Sequence, residues 1–381
     1  MAKELGQVMT ENKTLVYITK MEYPNKKASS IQITRTITAL AEFIPIILIV
    51  KKLNCPQEDL KEQIRSYYGC EVSENLKVLC FNRFMFKARY FPLLLLWCHI
   101  LVKTKKFTFY TRSYSLAENL IKFRWLHRKK IFFETHKKDA IYKEDHVPGS
   151  PYTYMREEKE KGNQNIQRLK WVYEQVDVLF FLHKHSMLKG KKIFNLKKSE
   201  FIWYGLKQNF FPPFSRRSLN FVYCGDISKT RLFDFLIDAA KHTKSDFKID
   251  VFGGNPSDIS AREAQIKSLG IANKFNFKGH ISHKDLGNRL KEYRFGISLM
   301  EGMKVIDYIE NGVVPIIPQI PSFTEIFDRS EVVFFRPDSV QELLNTINTC
   351  ATRDYDNSAL KRVMDFFSLN HRAHKIIQHL S

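Results

Sequence analysis

The chain has 381 residues, 44% hydrophobic and 27% charged, with a net charge of +21, an ordinary globular balance with enough length for two domains. It shows no run of the roughly 18 apolar residues that span a bilayer, no apolar stretch near its polar start, and six scattered cysteines (Cys55, Cys70, Cys80, Cys98, Cys224, Cys350) without a CxxC pair. These features argue against a spanning or secreted protein and against a zinc or disulfide framework, and point to a cytoplasmic chain with reduced thiols.

Residues 1–208 open with an apolar strand, Leu15-Val16-Tyr17-Ile18, and the turn Tyr23-Pro24-Asn25. A helix is predicted over 28–43, with Ser29 or Ser30 as its cap. The apolar run 44–50 has the pattern of a strand buried on both faces. Further strands are predicted at 77–80, 107–110, 131–134, 178–182 and 201–204, with helices between most of them. The run 91–102 reads as a buried helix, too short to cross a bilayer. Residues 144–165 read as a polar loop and an exposed helix start. Strand and helix alternate, which argues for a doubly wound parallel sheet.

The composition changes at 208–218, around Pro212-Pro213, and that is the expected domain boundary. Beyond it, strands are predicted at 221–224, 249–252, 275–277, 295–299, 314–317 and 332–335, again alternating with helices. A second doubly wound domain is therefore expected over 209–362, with a helix over 363–381 returning to the first domain. The first 208 residues carry 38 Lys and Arg against 20 Asp and Glu, and the rest carry 23 against 20. The basic half is expected to meet a phospholipid surface, an anionic glycan or a nucleic acid, or to be a solvated basic face.

Ligands of open α/β sheets bind beyond the carboxyl ends of the strands, at helix N-termini. Four places in the second half qualify. Gly225 is followed by Lys229 and Arg231, which suit a diphosphate. Gly253-Gly254 allow either close backbone approach to a ligand or a plain tight turn. Lys278-Gly279-His280 offers backbone to a base edge, or is a simple strand-to-loop turn. Finally Glu301, Lys304 and Asp307 precede Gly312. Glu301 and Lys304 fall at a strand-to-helix turn, Asp307 lies one helical turn past Lys304, where it suits ribose hydroxyls, and Gly312 is placed to close the helix.

On these residues the chain resembles the retaining GT-B glycosyltransferases of family four. Arg231 stands six residues after Gly225, where that family has Lys; Asp226 stands at its Arg position, with Lys229 nearby. Phe277-Lys278-Gly279 matches its next turn. Asp307, five residues before Gly312, takes its second acidic position, and Glu301 precedes Asp307 by six residues where the family has eight. In the first half, Tyr110-Thr111-Arg112 and Glu134-Thr135-His136 resemble the family's strand ends. Tyr23-Pro24-Asn25 with Ser29 and Ser30 resembles its first loop, near the diphosphate.

The resemblance implies two Rossmann-like domains facing a central cleft, with a nucleotide sugar as donor. It implies retaining transfer to an anionic or lipid-linked glycan, in polysaccharide or lipopolysaccharide biosynthesis. His136, Glu301 and Arg231 would be catalytic. Lys229, Gly225, Gly253, Gly279, His280, Lys304, Asp307, Ser29 and Ser30 would hold the donor. No metal and no separate cofactor are expected. The basic half would contact an anionic membrane at its inner face. A GT-B epimerase and a nucleic-acid-binding protein are the competing readings, the latter without any zinc-finger, RNP1 or KH pattern.

Overall fold

The computed structural model describes residues 13–25, 27–102, 106–136, 163–207, 212, 214, 217–228, 232–243, 247–352 and 357–380. Of the predicted loop and helix start at 144–165, residues 144–162 lie outside them, as does most of the boundary segment 208–218. The chain divides into two compact units.

The first unit is built on seven parallel strands: β1 (Lys13–Ile18), β2 (Ile46–Val50), β3 (Leu76–Cys80), β4 (Lys106–Thr111), β5 (Ile131–Thr135), β6 (Val178–Phe181) and β7 (Ser199–Phe201). Their order is β3-β2-β1-β4-β5-β6-β7. The central strands carry apolar runs and have no exposed face, as a sheet covered on both sides requires. The covering helices are α1 (Ala28–Ala41), α2 (Leu60–Tyr68), α3 (Phe91–Leu101), α4 (Tyr114–Lys122), α5 (Asn163–Gln175) and α6 (Lys184–Ile193).

Neither Ser29 nor Ser30 caps α1. The N-cap is Lys27, without a side-chain bond, and the preceding turn is held by Asn25 Oδ1, which accepts from Lys27 N at 2.9 Å. The predicted burial of 91–102 holds for one face only. Phe91, Leu94, Leu95 and Cys98 of α3 enter the core, while the opposite face is open to solvent.

The second unit holds six parallel strands: β8 (Ser218–Cys224), β9 (Ile249–Phe252), β10 (Phe275–Gly279), β11 (Tyr293–Ile297), β12 (Val314–Pro318) and β13 (Val333–Phe335). Their order is β10-β9-β8-β11-β12-β13. Its longer helices are α7 (Phe233–Lys241), α8 (Pro256–Ser268), α9 (His283–Leu290), α10 (Met303–Glu310), α11 (Val340–Thr352) and α12 (Ala359–Phe366). In both sheets the strand order reverses beside the first strand, between β1 and β4 and between β8 and β11. Such a reversal opens a crevice at the carboxyl edge.

The chain leaves the first unit after Gly205 and returns at Leu369, so α12 stays with the second unit. The final helix α13 (Leu369–Ile377) packs on α1. The two crossings run side by side. Leu206 N donates to Phe367 O at 2.8 Å, and a Cβ on Gly205 would fall 2.9 Å from Leu369 Cα.

Arg217 fastens the second unit where it begins. Buried, it donates to the carbonyls of Pro212, Tyr293, Asn311 and Gly312 at 2.8–3.1 Å. Burial lowers its pKa to about 10, which leaves it charged at neutral pH. Arg217→Met fills the space but strands several carbonyls, at a cost of about 2–4 kcal/mol. Peptide-resolved hydrogen exchange is expected to speed up in β8, β11 and α10 with the first unit unchanged. Equal exchange in both proteins would show that these bonds stabilise nothing.

Candidate functional site

At the carboxyl edge of the second sheet, the chain is stripped of side chains. Gly225, Gly253 and Gly279 end or follow the adjacent strands β8, β9 and β10. They are joined through backbone: Gly225 N donates to Phe252 O at 2.7 Å and Gly253 N to Gly279 O at 2.8 Å. Gly225 and Gly253 take φ values of +129° and +124°, which L side chains avoid. A Cβ on Gly253 would fall 2.2 Å from Gly225 O, and one on Gly225 would fall 2.4 Å from Lys304 Cε. The glycines thus serve to bring backbone and lysine together.

Lys304 lies across Gly225 from the first turn of α10. Its Nζ donates to Tyr223 Oη at 3.1 Å and sits 4.5 Å from the centre of that ring. Tyr223 Oη passes its own proton to Asp226 O at 3.0 Å, so the ammonium is aimed by an acceptor that has no other orientation open to it. Helix α10 begins after Gly302 with no side-chain cap, so its N-terminal amides add positive potential beside Lys304.

Tyr308, buried in α10, supports this edge from beneath. Its ring lies against Gly296, where a Cβ would come within 2.8 Å. Its hydroxyl accepts from Cys224 N and donates to Ile297 O, both at 3.0 Å. One phenol therefore satisfies two backbone groups at the point where β8 and β11 part. Asp307, one turn beyond Lys304, is buried and receives His283 Nε2 at 2.9 Å. Gly312 follows α10 with φ +67°, and the bonds of Gly312 N to Ile309 O and Val313 N to Tyr308 O close the helix as its spacing predicts. Glu301 is half-buried at the β11–α10 turn, and His280 is exposed after Gly279. Lys229 and Arg231 lie outside the described residues.

The first unit places a charged cluster at the same edge of its own sheet. Glu134, wholly buried at the end of β5, receives Arg372 Nη2 from α13 at 2.6 Å. It also receives the Tyr110 hydroxyl and His136 Nε2, the latter at 2.8 Å, with Arg112 Nε at 3.6 Å. Burial raises the pKa of Glu134, but Arg372, Arg112 and the His136 bond outweigh it and hold the carboxyl well below its usual range. Arg112 Nη2 also donates to Gln32 Oε1 and, at 2.8 Å, to His136 Nδ1. A guanidinium only donates, so Nδ1 is the acceptor and Nε2 carries the proton given to Glu134. Burial first, then Arg112, push His136 down to about 4 against the pull of Glu134. The ring is neutral at pH 7. Beside it His136, His183, Ser186 and Tyr204 help line a cavity of about 40 Å³, room for a single small polar group.

Tyr110, Arg112, Glu134 and His136, separate in the sequence, form one network here. Ser29 is exposed at the start of α1, whereas Ser30 is buried with its Oγ 2.6 Å from Tyr68 Oη. Arg372, Gln32, Tyr223 and His283 escape sequence reasoning. Arg372 carries the one available signal, an arginine on the inner face of an amphipathic terminal helix.

No protein-family model and no curated protein sequence matches the chain. Solved structures do match over its length. HepE of Anabaena, in complex with UDP and glucose, has a TM-score of 0.69 at 12% identity over 96% of this chain and 99% of its own. The sucrose-phosphate synthase of Thermosynechococcus elongatus has a TM-score of 0.72 at 13% identity over 96% and 98%. The lipopolysaccharide outer core galactosyltransferase WaaB has a TM-score of 0.64 at 12% identity over 97% and 99%. At these identities the similarity shows the fold: the α/β GT-B architecture, with two parallel-sheet domains.

The neutral state of His136 has a consequence for stability. His127 shares it: Nε2 donates to Leu120 O, Nδ1 accepts from Lys129 N, and burial lowers its pKa to about 4. Both folded pKa values lie below the unfolded value of about 6.5, so in acid the unfolded chain binds protons that the folded chain refuses. Stability is therefore expected to fall as pH drops from about 6.5 to about 4, by up to about 3 kcal/mol per histidine. Urea titrations across this range should show the slope reduced in His127→Gln and in His136→Gln. An unchanged slope in both would mean that neither ring is held neutral.

Proposed function

We propose that this protein is a glycosyltransferase that moves a sugar from a UDP- or GDP-sugar to a hydroxyl of a glycan or lipid-linked saccharide. One observation carries the reading: Lys304 laid over bare backbone at Gly225, with Asp307 one turn further along α10. A diphosphate needs a cation and free amides, and a ribose needs a carboxylate that can accept two hydrogen bonds. The lysine, the uncapped N-terminus of α10 and the carboxylate lie beside the topological switch point of the second sheet, where such ligands bind. The matched HepE structure holds UDP and glucose, and WaaB is a galactosyltransferase of lipopolysaccharide. Both support placing the activity in surface polysaccharide or lipopolysaccharide biosynthesis.

In this reading Lys304 and the amides of α10 take up the charge of the departing diphosphate, flanked by Lys229 and Arg231. Asp307, aimed by His283, holds the ribose. Gly253, Gly279 and His280 border the base, Ser29 the diphosphate, and Glu301 the sugar hydroxyls. His136 meets the donor sugar as a neutral ring. The bond from the anomeric carbon to the diphosphate oxygen breaks while the acceptor oxygen bonds on the same face. The acceptor proton passes to the leaving phosphate oxygen, so configuration is retained and no enzyme nucleophile is consumed. Cationic side chains carry the leaving-group charge, and the proposed reaction uses no metal.

Melting curves with UDP, GDP and their sugars test the donor site, because ligand bound to the folded state raises the midpoint. One base is expected to raise it, with affinity reduced at least about tenfold in Lys304→Ala and the shift abolished in Asp307→Ala. No shift with any nucleotide would remove the donor-site assignment. NMR of the product from an α-linked donor should show an α linkage; a β linkage would overturn retention. Sugar isomerisation without acceptor would make the protein an epimerase instead.

A further inference from the structure

We propose that the first unit docks on an anionic membrane surface through the outer face of α3. The helix is apolar on both sides. Its inner stripe, Phe91, Leu94, Leu95 and Cys98, belongs to the core. Its outer stripe, Leu93, Leu96, Trp97 and Ile100, repeats the same i, i+3, i+4, i+7 spacing and is 47–62% exposed. An apolar outer stripe has no role in water, and the second such face on one helix marks a partner. The short helix Arg124–His127, which packs against α3, adds Trp125 at 71% exposure. The turns before α3 add Phe84, at 45%, with Arg83 and Lys87 over its ring at 5.3 and 5.1 Å.

Charge selects the partner. Residues 75–133, which contain this face, carry 13 Lys and Arg and a single carboxylate, Glu118. That carboxylate is already spent on Lys122 and Arg168, at 2.8 and 2.7 Å. A second copy of the chain meeting this face would bring two strongly cationic segments together. An anionic lipid surface neutralises them and accepts the apolar stripe at once. Trp97, Trp125 and Tyr90 have the apolar body and polar tip that settle at headgroup depth. No helix among the described residues is long and apolar enough to cross a membrane, and α3, with 11 residues, suits lying in the interface.

The inference is independent of the transfer reading, and its test contains no nucleotide sugar. The full chain is floated at low salt with vesicles of phosphatidylglycerol and phosphatidylcholine in equal parts, or of phosphatidylcholine alone. Binding is expected to the first and not the second, and to be lost at high salt. The double variant Leu96→Asp/Trp97→Asp should melt like the parent and bind at least about tenfold more weakly. Leu219→Asp, which removes an equally exposed leucine from the second unit, should bind as the parent does. Absence of binding to the anionic vesicles, or undiminished binding by the double variant, would overturn the proposal. So would a concentration-dependent dimer that the double variant abolishes while vesicle binding is absent.

Discussion

A carboxylate with no access to water governs the first unit. Glu134 could be buried as a neutral acid or as an ion with full compensation, since an unpaired buried charge costs several kcal/mol. The chain takes the second course. Arg372 must reach Glu134 from α13, the last helix, and it also binds the carbonyls of Ile202 and Trp203 near the end of the unit's first pass. The chain's return after the second unit is therefore part of the first unit's electrostatics. The same carboxylate fixes Tyr110 as a phenol and, with Arg112, fixes the tautomer of His136. A single ionised oxygen pair thus determines proton positions across the edge of the sheet.

The second sheet repeats the order of the first sheet's first six places and treats the same edge differently. At this edge the first unit sets Glu134 between Arg112 and Arg372, whereas the second clears side chains with Gly225 and Gly253 and lays Lys304 across Gly225. Tyr308 replaces what backbone pairing cannot supply between β8 and β11. Two backbone groups at this edge, Cys224 N and Ile297 O, are thereby satisfied by a side chain of α10.

The fold was legible in the sequence because parallel strands buried on both faces leave continuous apolar runs, and each of β1, β2, β5, β8 and β12 contains one. Gly225, Gly253 and Gly279 could be placed at strand ends, and Lys304 and Asp307 one turn apart on a helix, because glycine after an apolar run and helical spacing are local patterns. The Tyr110, Arg112, Glu134 and His136 strand ends were visible as local patterns, but their mutual contact was not. Contact of that kind depends on which strands are neighbours, and spacing does not encode it. Arg372, His283 and Tyr223 act across 80 residues or more or from a neighbouring helix, so no local pattern marks them. The capping of α1 was misassigned because a serine inside the first turn looks like one just before it, and Tyr68 claims Ser30 through a contact 38 residues away.

The reading of 91–102 as a buried helix failed for a more instructive reason. Hydrophobicity around a whole helix normally signals burial on all sides, yet a helix on the outer layer of an α/β unit has only one face to give to the sheet. The inner stripe of α3 is sufficient to anchor it: four side chains entering the core contribute several kcal/mol. The outer stripe contributes nothing to that packing. Its apolar character, its tryptophan and the excess of basic over acidic residues in 75–133 are therefore not products of that packing. In water alone, lysine or glutamate at these positions would improve solubility at no cost to the core. The composition of this face is explained by an environment that is apolar on contact and negative at its border.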